Sequence, residues 1–147
     1  MADSKFKFND FAEGIAGAFL IAAALITPFL RHWRTKWGAT DAEVHRSLPG
    51  DDLVPHSKWG WTHAITIRAS TAEVWPWLMQ MGQGRGGMFF LDELDEGTTR
   101  LISRWRGDYN PSRGNAVIYL VFIEPISFVM DRKMLLGIKR LAEAVKE

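Results

Sequence analysis

Residues 14–30 read GIAGAFLIAAALITPFL, with Arg31-His32-Trp33-Arg34 directly behind them. The run carries no charged side chain and is apolar on every face, the mark of a helix that is either fully buried or membrane-spanning. As a helix it covers roughly 25 Å, against about 30 Å of bilayer hydrocarbon. A start at Phe11 supplies the missing length and leaves Glu13 near the headgroups. Trp33 and Trp37 stand just beyond its end, where amphipathic rings collect at an interface, and Arg31, Arg34 and Lys36 form a basic collar. These features predict a single transmembrane helix, with a buried helix of a soluble domain as the alternative. Residues 1–13 mix Lys5 and Lys7 with Asp3, Asp10 and Glu13, so the basic n-region of a cleaved signal peptide is missing. The greater number of cations after the span, Arg46 included, places the larger C-terminal part in the cytoplasm.

Working outward, the chain divides into a tail at 1–13, the span and collar at 14–36, and one small domain at 37–147. About a hundred residues can hold a core, but not a large internal cavity as well. The net charge of +1 lacks the basic field of nucleic-acid binders, so no nucleic-acid partner is expected. The absence of cysteine removes disulfides, thiolate metal sites and cysteine nucleophiles together. All seven tryptophans except Trp105 fall between positions 33 and 77, which suits a domain close to a membrane or a partner surface.

Two capping boxes mark helix starts, Thr40 with Glu43 and Ser70 with Glu73. Pro49-Gly50 ends the first helix, and 51–60 reads as an extended linker. Residues 62–68 (THAITIR) alternate and are β-branched, which predicts a strand. The second helix buries Val74, Trp77, Leu78 and Met81 and contains Pro76, which is expected to kink it or tighten its first turns. Residues 88–94 and 98–105 form a hairpin around Asp95-Glu96-Gly97, with Arg100, Ile102, Arg104 and Arg106 on one face and Leu101, Ser103 and Trp105 on the other. Residues 115–123 are a continuous apolar run whose state periodicity does not decide. Ser127 is expected to cap a final helix with Phe128, Met134, Leu135, Ile138, Leu141, Ala142 and Val145 inward, and Asp131, Arg132, Lys139, Lys146 and Glu147 on its wetter side.

Little in this pattern carries chemistry. Residues 82–87 (GQGRGG) have the letters of a dinucleotide loop, but a helix precedes them and an extended segment follows, the reverse of what a pyrophosphate site needs. The loop reads as a hinge in which Arg85 is free to meet an anionic group. His32, His45, His56 and His63 lack zinc-ligand spacing and an obvious carboxylate orienter. Asp92, Glu93, Asp95 and Glu96 flank a turn opposite the arginine strand, where cross-strand pairing accounts for them. Asp51 and Asp52 remain as loop carboxylates. No nucleophile, base and oxyanion site come together, so no catalytic residue, metal or cofactor is assigned.

Residues 37–43 (WGATDAE), 48–55 (LPGDDLVP), 64–67 (AITI), 74–78 (VWPWL), 80–87 (QMGQGRGG) and 128–139 (FVMDRKMLLGIK) together resemble bacterial membrane-anchored START-like proteins of the SRPBCC (polyketide cyclase/dehydrase and lipid transport) superfamily. The resemblance implies an α+β helix-grip fold, an antiparallel sheet wrapped around a long C-terminal helix, and a place in the cell (inner) membrane. It also implies that 115–123 is helical, against its strand-like composition. In the family the glycine-rich loop leads through further strands to one resembling 91–94. Here Phe89-Phe90 runs straight into 91–104 (LDELDEGTTRLISR), so the middle of the sheet is missing. Three strands do not close a cup, and an exposed apolar face or open edge invites a partner.

Three functions follow as expectations. The first in rank is a non-catalytic accessory subunit of a larger membrane complex, whose span offers Ala12, Ala16, Ala18 and Ala22 to neighbouring helices. The second is a membrane-tethered module holding a lipid or other hydrophobic molecule between sheet and grip helix, with Trp77, Met81, Arg85, Phe89, Trp105, Met134 and Ile138 as its lining. A cyclase or dehydratase comes third, for want of converging polar residues.

Overall fold

The computed structural model of the chain describes residues 14–19, 21–22, 30–81, 88–110 and 112–144. The elements run α1 (Leu30–Thr35), α2 (Asp41–His45), a 3-10 turn (Asp51–Leu53), β1 (Trp59–Ile67), α3 (Thr71–Met79), β2 (Met88–Asp95), β3 (Thr98–Gly107), α4 (Arg113–Val117), a π-helical stretch (Ile118–Ile123) and α5 (Glu124–Ala144). This is an α+β fold with a three-stranded antiparallel sheet and a long C-terminal helix.

Local chemistry sets most boundaries. Both capping boxes form, Thr40 and Ser70 exchanging hydrogen bonds with Glu43 and Glu73 across the first helical turn. Pro76 removes one helical donor, yet α3 continues to Met79. Gly38 turns the chain between α1 and α2 at φ 71°, and a Cβ there would overlap the Ala64 carbonyl oxygen, so both conformation and space demand glycine. The expected linker is shorter than 51–60, since β1 starts at Trp59.

The sheet order is β1-β3-β2, with β3 central. Ile65 faces Leu101 and Leu91 faces Leu101 across the two registers, and this face meets α3 and α5. The core there is Ile67, Ala69, Val74, Leu101, Leu135, Ile138 and Ala142, all buried. The opposite face carries Arg100, Ile102, Arg104 and Arg106 as expected, and a smaller cluster of Leu48, Ala64 and Ile102 covers its middle.

The C-terminal helix departs from the sequence reading in two ways. It is continuous from Arg113 to Ala144, so 115–123 is helical as the resemblance implies, but Ser127 lies in mid-helix instead of capping its start. The capping side chain is Ser112, which accepts from the Asn115 amide. Asp131 is buried on the inner stripe, not on the wetter side, because it lies three residues after Phe128 and four before Leu135. Among the described residues this helix alone is long and apolar enough to cross a membrane. Of the expected N-terminal span, residues 14–19, 21–22 and 30 are helical. Positions 20 and 23–29 lie outside the described residues, as do 1–13, the loop 82–87 and 145–147, so a continuous N-terminal spanning helix is not shown.

Candidate functional site

Three polar clusters fasten the helices to the sheet. In the first, α1 meets the start of α5. Arg34 donates to Glu124 at 2.6 Å, with side chains 3 % and 1 % exposed, and the half-exposed Arg31 adds a bond at 3.1 Å. Arg34, read above as part of an interfacial collar, is thus folded into the domain. Trp33 packs edge-on against Phe128, and Trp37 packs on both Phe128 and the Arg132 guanidinium.

The second cluster lies two turns further along α5. Asp131 holds His63 Nδ1 at 2.5 Å and accepts from Ser103 Oγ at 3.0 Å, while His63 Nε2 donates to the Arg34 carbonyl at 2.8 Å. His63 therefore has the carboxylate partner that no local spacing indicates. The Ser103 hydroxyl donates to Asp131, and both imidazole nitrogens are engaged by Asp131 and the Arg34 carbonyl. The arrangement orients and fastens, and it offers no base to a nucleophile.

On the other face of the sheet, Arg104 is fully enclosed. It donates to Thr62 Oγ1, Asp51 Oδ2 and the carbonyls of Glu43, Val44 and Arg46, capping the C-terminal end of α2. Asp51 also binds Arg106 at 2.9 Å and the Leu48 amide, which gives this loop carboxylate a structural role. The register sets Asp92 opposite Arg100 as expected, but Arg100 pairs with Glu43 and Asp92 with Arg46, so these two charges do not pair with each other. Among the described residues no group of three His, Asp or Glu side chains is placed to hold a metal ion.

The Arg100 guanidinium is the main reason the Glu43 carboxyl is lowered from 4.5 to about 2. A depressed carboxylate stabilises the fold above its unfolded value and loses that contribution as pH falls through the folded one. Stability is therefore expected to fall between pH 4.5 and about 2. Urea unfolding at about pH 5 and about pH 3 checks this, and Glu43→Gln is expected to flatten the difference.

Between the sheet and the C-terminal helix runs an open groove of about 630 Å³. Its wall is aromatic: Trp61 stacks on Trp105 with ring centroids 5.8 Å apart, Trp59 leans on both, and Tyr119 closes one end against Trp59. Phe89, Ile123, Met130 and Met134 supply the rest of the apolar lining, and Ser103, Ser127 and Asp131 the polar spots. Strand register explains the assembly, since Trp61 lies opposite Trp105 and Ser103 lies between Phe89 and His63. No protein-family model, curated protein or solved structure matches the chain.

Of the lining residues expected from sequence, Phe89, Trp105 and Met134 meet in this groove. Trp77, Met81 and Ile138 pack instead in the main core, and Arg85 lies outside the described residues. Trp59, Trp61, Tyr119 and Met130 were not anticipated. The alternation of Trp59 and Trp61 along one strand is the available signal for two of the five aromatic rings that line the groove.

Proposed function

We propose that this chain is a non-catalytic, membrane-associated binding protein whose aromatic groove holds an apolar molecule such as a lipid acyl chain. The observation that carries the reading is the groove itself. Its volume falls in the range of roughly 300–1,000 Å³ usual for small-molecule sites, and its walls are mostly apolar with few polar groups. The three-stranded sheet laid across one long helix suits the reduced START-like grip that the sequence motifs suggest. In that reading the apolar N-terminal run holds the protein at the inner membrane, with its domain in the cytoplasm.

Filling the groove tests the proposal. Ser127 lines it from mid-helix, so Ser127→Trp is expected to block it. Energy transfer from the wall tryptophans to cis-parinaric acid reports occupancy, and S127W is expected to weaken binding at least about tenfold, or about 1.4 kcal/mol. Absence of transfer in the native chain, or equal transfer in both, refutes the assignment.

A second reading, an accessory subunit of a larger membrane complex, is favoured by the exposed apolar residues Val117, Ile118, Val121 and Phe122 on the C-terminal helix. Purification in mild detergent would then bring down a partner in fixed stoichiometry, and a lone monomer would oppose it.

A further inference from the structure

The C-terminal helix has two faces with opposite commitments. Its inner face carries Glu124 and Asp131, buried and bonded to Arg34 and His63. Threading this helix across a bilayer would tear both carboxylates from their partners inside hydrocarbon, where ionised groups are most heavily penalised. Length and composition alone permit a span, but the contacts on this face oppose one. The outer face shows Ile118, Phe122, Ile126 and Met130, one every four residues, with Phe122 52 % and Met130 66 % exposed. That spacing keeps them on one side of the helix.

The helical residues 14–19 of the apolar N-terminal run lie against the same face. A Cβ on Gly17 would meet Val129 Cγ1 at 3.5 Å, and Ile15 and Phe19 are exposed beside it. Lys133 and Arg140 line the groove where these two segments meet. A stripe of exposed hydrophobes, flanked by cations and continuous with an apolar run, has the composition of an interfacial helix on an anionic membrane.

We propose that the outer face of the C-terminal helix is a bilayer contact: the helix lies flat in the interfacial layer of an anionic membrane, its four apolar side chains among acyl chains. This contact shares Met130 with the edge of the aromatic groove but does not depend on any ligand there.

The chain has no cysteine, so Phe122→Cys and Ile126→Cys each give one labelling position. Each full-length variant is labelled with the environment-sensitive dye NBD and reconstituted into phosphatidylcholine vesicles with and without phosphatidylglycerol. Glu96→Cys, in the exposed hairpin turn, serves as the reference. Blue-shifted emission at 122 and 126, quenched by doxyl-labelled lipid and strengthened by phosphatidylglycerol, is expected while the label at 96 stays water-like. Water-like, unquenched emission at both helix positions overturns the proposal. So does a blue shift already present without vesicles and insensitive to doxyl lipid, because that result means protein covers the face.

Discussion

Glu124→Ala is expected to destabilise the fold by about 3–5 kcal/mol, the range for breaking a buried ion pair from one side. The Arg34 guanidinium is 3 % exposed and loses a carboxylate partner at 2.6 Å in a site shielded from solvent. Arg31 is 46 % exposed and its share is expected to stay below about 1 kcal/mol, so Arg31→Ala serves as the mild control. The double variant Arg34→Met, Glu124→Leu removes both charges and is expected to recover most of the loss, since apolar replacements of buried pairs are often neutral. Urea unfolding in a fixed detergent measures all three. If Glu124→Ala falls within about 1 kcal/mol of the native chain, the pair is not what holds α1 to α5.

Arg104→Met is expected to have a comparable effect, about 3–5 kcal/mol, for a different reason. One enclosed guanidinium donates to two side chains and three backbone carbonyls, and those carbonyls belong to the end of α2 and the residue after it. Methionine fills similar volume but leaves the acceptors buried without donors, a penalty incurred at each group. Arg104→Lys keeps a charge for Asp51 and loses the planar fork, so it is expected to restore only part of the stability. Hydrogen exchange should locate the damage: amides of α2 and the 3-10 turn are expected to lose protection before those of β1 and β3. Uniform loss across the sheet would show that Arg104 supports the sheet itself and not the segment packed on it.

Much of the fold was legible because its causes are local. A hydroxyl three residues before a glutamate satisfies first-turn amides from within the same few residues, and both such boxes form at Thr40 and Ser70. Alternation along β3 sorted its arginines from Leu101, Ser103 and Trp105 before any partner strand was placed. Residues 115–123 were ambiguous because their β-branched content favours a strand, while their continuation into Glu124–Ala144 makes them helix. Asp131 was misplaced through its charge, although the spacing 124, 128, 131, 135, 138, 142 traces one buried stripe that includes two carboxylates. An acidic residue at an apolar position of such a stripe signals a buried partner elsewhere in the chain.

That partner is where reading the chain in order stops. Glu124 meets Arg34 from 90 residues away, Asp131 meets His63 from 68, and the aromatic wall joins Trp59 and Trp61 to Trp105 and Tyr119. Element starts, the faces of β3 and the apolar run are legible along the chain, since these depend on neighbours within a few residues. Which charges are buried together and which aromatics share a groove emerges from the packing of distant segments. The reason is physical: the free energy of a buried charge or ring depends on what packs against it, and that is set by how distant segments fold onto one sheet.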